Sequence, residues 1–202
     1  LPFAKTNCWR HSTRTPWIIR WPGVVRPGNH DRQHMVAGID LAPTILDAVG
    51  LPELPQSDGR SFTPVLKGKS QADRGHVITH INRTAGKRDF PMRSVIERRY
   101  GYIFNAWSNG TTVFRNESQS GLTMKAMQKA AASNTTIAAR VQLFLTRVPE
   151  ELYDYQTDPD AKHNLASDPN HRKLLARLRT RLLDHMQSTN DPQLPAFIRA
   201  TR

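Results

Sequence analysis

Thr15-Pro16-Trp17-Ile18-Ile19-Arg20-Trp21-Pro22-Gly23 is the stretch on which the fold turns. An apolar run opens after one proline and closes at another. Trp17, Ile18, Ile19 and Trp21 are aromatic or β-branched, residue types that fit a pleated, buried surface. The run is short and lacks a helical period, so it reads as a buried strand. Pro16 and Pro22 sit at its ends, where a ladder can spare their missing N–H groups. A polar loop, Lys5 to Arg14, lies just upstream. In open α/β sheets ligands bind at loops around strand ends. The strand is therefore expected to belong to a larger sheet, most of which lies outside these residues.

Working outward, the chain opens on Leu1-Pro2-Phe3-Ala4-Lys5, which has no basic n-region and no apolar h-region. It reads as a chain opened in mid-domain. No apolar run approaches the roughly 20 residues of a membrane span. Of 202 residues, 29 are Lys or Arg and 17 are Asp or Glu, a formal net charge of +12. That balance suits an anionic partner: an acidic polysaccharide, sulfate or phosphate esters, or nucleic acid. No helix-turn-helix, zinc or RNA-binding signature accompanies the charge, which argues against nucleic acid. The single cysteine, Cys8, excludes an internal disulfide. Beside a buried strand it reads as a small hydrophobe.

Downstream, Asp40 to Gly50 reads as a short helix. Asp40 is placed to cap it, Pro43 falls in its first turn and Gly50 supplies a left-handed end. Leu41, Ile45 and Val49 share one face. Residues 52–73 are rich in Pro, Gly, Ser and charge and read as a crossing to a smaller unit. Strands are expected at 76–81, 92–97 and 100–105, with a short one at 112–114 and another at 151–155. Close spacing of strands joined by turns argues for an antiparallel sheet. Helices are expected at 123–132, from Asn134 to about 146, and from Asp168-Pro169 to about 187. The last carries Leu174, Leu175, Leu178, Leu182 and Met186 as a stripe, with arginines mostly off it. The tail beyond Pro192 is expected to be loose.

Three groups of residues together resemble the sulfatase family at its C-terminal end. The first is Phe3-Ala4-Lys5-Thr6-Asn7 with Arg14-Thr15-Pro16 and Trp21-Pro22-Gly23. The second is Asp40-Leu41-Ala42-Pro43-Thr44-Ile45-Leu46. The third is Glu151-Leu152-Tyr153-Asp154 with Asp158-Pro159, Asn164-Leu165-Ala166 and Asp168-Pro169. Pro91-Met92-Arg93-Ser94-Val95 adds a closer likeness to the heparan N-sulfatase (N-sulfoglucosamine sulfohydrolase) branch.

The resemblance implies an α/β fold: the C-terminal part of an alkaline-phosphatase-like sulfatase, with a small antiparallel sheet and a C-terminal helix. Residues 1–72 would be the tail of the catalytic α/β domain and 73–202 the C-terminal subdomain. It implies a parent hydrolase of sulfuric esters or sulfamates on sulfated carbohydrate, using formylglycine and Ca2+. The formylglycine motif, Cys/Ser-x-Pro-x-Arg, is not met by Cys8-Trp9-Arg10-His11-Ser12. Nucleophile and calcium ligands would thus lie outside this chain, in a missing N-terminal half, and the chain alone would be inactive. Lys5 falls where the family places a cation on the sulfate. His80 and Arg93 border strands that could edge the substrate cleft. The implied compartment is periplasmic, secreted or lysosomal. The competing reading is a non-catalytic module binding an acidic glycan, or a decayed sulfatase remnant. Four triplets, at Asn82, Asn109, Asn116 and Asn134, match the glycosylation sequon, which has meaning only in a eukaryotic secretory chain.

Overall fold

The computed structural model describes residues 2–84 and 87–202. The chain divides into two compact units, one formed by 1–14 with 78–202 and the other by 15–77. Residues 1–14 belong with the larger unit, where Phe3 and Trp9 pack against Phe144.

The larger unit is built on a four-stranded sheet of order β1-β2-β3-β4. The strands are β1 (His76–Arg83), β2 (Asp89–Glu97), β3 (Tyr100–Asn105) and β4 (Glu150–Asp154). β2 and β3 pair antiparallel with Met92 opposite Asn105 and Val95 opposite Tyr102. β3 and β4 pair antiparallel with Tyr102 opposite Leu152 and Ile103 opposite Glu151. Side chains alternate across a strand, so these registers sort the residues onto two faces. Arg93, Val95, Tyr102, Phe104 and Leu152 lie on one; Met92, Ser94, Ile103, Asn105, Glu151 and Tyr153 lie on the other.

The first face is covered by α6 (Arg172–Ser188) and α7 (Leu194–Thr201). Leu175, Leu178, Leu182 and Met186 of α6 join Val95, Tyr102, Phe104 and Leu152 in one core, as their stripe foretold. Asp168 accepts from the Asn170 N–H ahead of the helix. The arginines off the stripe are not simply solvated: Arg177 and Arg181 pair with Glu97, and Arg179 pairs with Glu150. The tail is not loose. It forms α7, which seats Phe197 against Phe104 with ring centroids 5.1 Å apart. The missed signal is Leu194-Pro195-x-Phe197-Ile198, a proline in the first turn ahead of apolar residues at helical spacing.

The second face is covered by the N-terminal segment ahead of the short α1 (Arg10–Thr13), whose Cys8 and Trp9 reach Thr79 and Glu151. α5 (Thr135–Thr146) packs Phe144 on Trp9, and α4 (Leu122–Ala131) packs on α5. Asn134 caps α5 by accepting from the Ile137 N–H at 3.0 Å. Residues 112–114 form no strand; Phe114 is instead fully buried in an aromatic cluster with Phe90, Trp107 and Phe144. Gly101 is required by crowding. A Cβ there would come within 2.4 Å of the Tyr155 ring.

The smaller unit holds α2 (Leu41–Ala48) and α3 (Thr63–Leu66). Gly50 ends α2 at φ 71°, and the Leu51 N–H reaches back to the Leu46 carbonyl. Asp40 does not cap α2. Its carboxylate is buried and accepts from the Ala37 and Arg60 N–H groups and from Arg74. Arg74 also donates to the Arg60 and Ser61 carbonyls, so this ion pair is the polar centre of the unit.

Two apolar features of this unit are left open among the described residues. The 17–21 run is extended but joins no ladder among the described residues, and Ile18 is 91% exposed. Trp17, Ile19 and Trp21 are half-buried while Ile18 and Arg20 are exposed, so the period is that of a strand without its neighbours. α2 likewise turns Pro43 and Thr44 inward and leaves Leu41, Ile45 and Val49 exposed. Thr44 donates to the Asp40 carbonyl and accepts from the Phe62 N–H, which fixes that orientation.

Candidate functional site

Lys5 leads a segment that the sheet holds by a buried polar cluster. Glu151 on β4 is fully buried. One of its oxygens accepts from Arg147 Nε at 2.8 Å, Arg147 Nη2 at 2.5 Å and Asn105 Nδ2 at 2.7 Å. The other accepts from Trp9 Nε1 at 2.7 Å and from the Tyr153 hydroxyl at 2.6 Å. The Arg147 guanidinium also stacks 3.6 Å from the Trp9 ring centroid. Phe3 packs against Trp9 at 4.7 Å and lies under the Arg140 guanidinium at 3.8 Å. A carboxylate carrying five hydrogen bonds and one buried cation has its desolvation offset. The cluster fixes Trp9, and through it the chain four residues upstream.

The Lys5 backbone is gripped from a second side. Its carbonyl accepts from Asn116 Nδ2 at 2.6 Å and from Ser118 Oγ at 3.3 Å, and the Thr6 hydroxyl donates to Glu117 at 2.7 Å. Lys5 itself is exposed and its ammonium makes no ion pair among the described residues. A fixed backbone carrying a free cation is what an oxyanion contact needs. Because Asn116 Nδ2 is spent on the Lys5 carbonyl, a glycan on that nitrogen would displace the grip. Asn134 uses only its oxygen, for its cap.

His80 and Arg93 are placed elsewhere. Arg93 is 3% exposed and forms a bidentate pair with Asp191 at 2.5 and 3.0 Å, while Nη1 donates to the Met92 and Ile81 carbonyls. That is the geometry of a structural pair, tying β2 to the turn between α6 and α7. His80 is exposed and near enough to Asp191 to favour its ionised form. Both therefore lie on the α6 face, whereas the Lys5 segment covers the opposite face. The structure does not bring the three residues together. Arg147, Glu151, Asn116 and Ser118, which position Lys5, were not singled out from sequence as a site. Glu151 occupied an alternating strand, where an outward carboxylate is the ordinary reading.

Cys8 is fully buried, its thiol 3.9 Å from the Thr79 carbonyl. Burial pushes its pKa up to about 11, so it stays a neutral, inert thiol. Among the described residues no three His, Cys, Asp or Glu side chains gather in a way that could hold a metal ion.

Against known proteins, residues 2–109 match the family model "N-sulphoglucosamine sulphohydrolase, C-terminal". The chain belongs to that family. Among its relatives is an ulvan-active sulfatase of Formosa agariphila, 29% identical over 180 residues, covering 88% of this chain and 34% of that protein. Another is the N-sulphoglucosamine sulphohydrolase of Homo sapiens, 25% identical over 208 residues, covering 95% of this chain and 40% of that protein. A solved 2-O GAG sulfatase superposes with a TM-score of 0.56 at 24% identity, covering 84% of this chain and 29% of that one. The chain thus spans 34% and 40% of the length of the two relatives named and 29% of the solved structure. The fold is the C-terminal part of the alkaline-phosphatase-like sulfatase fold, with its small antiparallel sheet and C-terminal helix. No helix among the described residues is long and apolar enough to cross a membrane.

Proposed function

We propose that this chain is the C-terminal portion of a sulfatase acting on sulfated carbohydrate, with N-sulfoglucosamine its leading substrate. The observation that carries the reading is the family match over residues 2–109, which takes in Lys5 and the segment that the sheet clamps. In this reading the formylglycine nucleophile and its Ca2+ belong to polypeptide outside residues 1–202 and supply the attack on sulfur. This chain supplies one cation and the scaffold that holds it. Lys5 sets a point charge against the sulfate oxygens, where negative charge grows as the S–N or S–O bond breaks. Glu151, Arg147 and Trp9 keep the Lys5 backbone from drifting, since a misplaced cation stabilises the transition state poorly. Arg93 and Asp191 hold the far face of the sheet and touch no substrate; His80, exposed at the same face, is left as a second-rank candidate for the rim of a cleft.

The proposal also accounts for the two surfaces that the smaller unit leaves open. The unpaired 17–21 segment takes its place beside strands of the catalytic domain, and the apolar stripe of α2 is covered by that domain. The compartment that follows is periplasmic, secreted or lysosomal. A non-catalytic glycan-binding module is the rival, but the relatives named above are sulfatases.

The test is sulfate release. Residues 1–202 joined to a cognate sulfatase N-terminal half are expected to release sulfate from N-sulfoglucosamine faster than from O-sulfated glucosamine, and residues 1–202 alone are expected to release none. Preference for an O-sulfate would retain the reaction and replace the substrate. No release from any sulfated sugar by the joined protein would remove the enzyme reading.

A further inference from the structure

Beyond Lys5, the hydrogen bonds of its grip lead to three more exposed cations. Asn116, whose side chain holds the Lys5 carbonyl, follows Arg115 in the chain. The Arg115 carbonyl accepts from the Thr84 hydroxyl at 2.8 Å, at the end of β1. Thr84 is buried, and its N–H donates to the Arg88 carbonyl at 3.1 Å while its own carbonyl accepts from the Lys87 N–H at 3.0 Å. One short relay of backbone and side-chain bonds therefore fixes Lys5, Arg115, Arg88 and Lys87 along a single rim. All four are exposed and none forms an ion pair among the described residues. Of the carboxylates nearby, Asp89 pairs with Arg83 at 2.6 Å, while Glu117 accepts from the neutral Thr6 hydroxyl and keeps its charge. The aromatic rings of the region, Phe90 and Phe114, are buried.

Resting on the reading of Lys5 as the sulfate contact, we infer that Arg115, Lys87 and Arg88 form a secondary subsite. It takes the carboxylates or sulfates of neighbouring residues in an acidic polysaccharide chain. Four cations against the unpaired carboxylate of Glu117 leave the rim net positive among the described residues, and such a rim beside a reactive sulfate focuses anionic substrate toward it. The contacts are to charge and not to a defined saccharide shape, since long exposed side chains confer little geometric selectivity. Single-stranded nucleic acid is the other polyanion such a rim meets, but it is held through base stacking on exposed aromatic rings, and the rim presents none. A sulfated residue that carries further anionic units is thus held more tightly than the same residue alone.

The test uses the protein that carries this chain, its triple variant Lys87→Ser/Arg88→Ser/Arg115→Ser, and a control variant Arg172→Ser/Lys173→Ser on α6. Binding of a heparin-derived disaccharide and of an octasaccharide is measured by calorimetry at two salt concentrations. The unaltered protein is expected to bind the octasaccharide tighter. The triple variant is expected to lose roughly tenfold of that advantage and to show a shallower salt dependence, with disaccharide affinity and turnover unchanged. The control is expected to keep the advantage. An octasaccharide advantage retained by the triple variant, or lost equally in the control, overturns the subsite while leaving Lys5 and the sulfatase reading intact. A DNA oligonucleotide of equal charge that binds the unaltered protein more tightly than the octasaccharide, and loses that affinity in the triple variant, overturns the choice of glycan. Failure of the unaltered protein to bind or turn over either saccharide overturns the functional reading and the subsite together.

Discussion

Glu151 concentrates the account at the residue scale. It satisfies Arg147, Asn105, Trp9 and Tyr153 at once, inside a site with no exposure. Removing its charge would leave the Arg147 guanidinium buried without a counter-ion. Glu151→Gln is therefore expected to cost about 3–5 kcal/mol, read as a shift in the denaturant midpoint. A loss under about 1 kcal/mol would mean that water reaches the pair. Little of this was legible beforehand. The sequence shows a glutamate in an alternating strand, but not that the first 14 residues fold back over it. Lys5 was singled out through the family resemblance, by the Phe3-Ala4-Lys5-Thr6-Asn7 match. Arg93 was equally visible as a charge, yet its partner Asp191 lies 98 positions away and no local spacing announces such a pair.

At the scale of elements, the two terminal helices carry opposite lessons. The α6 stripe was legible because five apolar residues at helical spacing admit one buried face. α7 was not, because eight residues following Asp-Pro look like a fraying tail until Phe197 is seen against Phe104. Phe197→Ala is expected to destabilise the chain by about 3–5 kcal/mol, measured by thermal or denaturant unfolding. α2 was legible as a helix with an apolar face, and that face is exposed among the described residues. Periodicity identifies an apolar face but not what covers it. Since Ile45 is 53% exposed, Ile45→Glu is expected to change the stability of residues 1–202 by less than about 0.5 kcal/mol. In the protein that includes the catalytic domain the same change is expected to cost more than about 2 kcal/mol. Equal effects in both would mean that nothing covers α2. The 17–21 segment poses the same question, with the right residues for a strand and no described ladder partner.

For the whole molecule, the net charge of +12 is unevenly spent. On the α6 face Arg177, Arg179 and Arg181 are tied to Glu97 and Glu150, whereas Lys5, Lys87, Arg88 and Arg115 form no ion pair among the described residues. Carboxylates engaged by arginine set the response to acid. The Arg99 hydrogen bond holds Asp154 below its ordinary value of 3.8. Burial pushes Asp191 upward, but hydrogen bonding to Arg93 and the Gln193 N–H outweighs it and leaves the group lowered. A lowered carboxyl pKa in the folded state stabilises the fold above the unfolded value, and that stability is lost as pH falls through the folded one. Unfolding free energy is thus expected to be level with respect to these two groups from pH 7 to about 5. It should fall steadily below about pH 4, with a shallower fall in Asp191→Asn. A stability that rises on acidification through that range would contradict the pairing.

The central claim is that this chain sets one positioned cation against a sulfate, and it is tested most directly by steady-state sulfate release from N-sulfoglucosamine by the protein that carries the chain, unaltered and as Lys5→Ala. The account predicts a fall in kcat/KM of roughly 100-fold with an unchanged unfolding midpoint, because the side chain is exposed and its loss removes only a transition-state contact. Turnover in Lys5→Ala equal to that of the unaltered protein would contradict it.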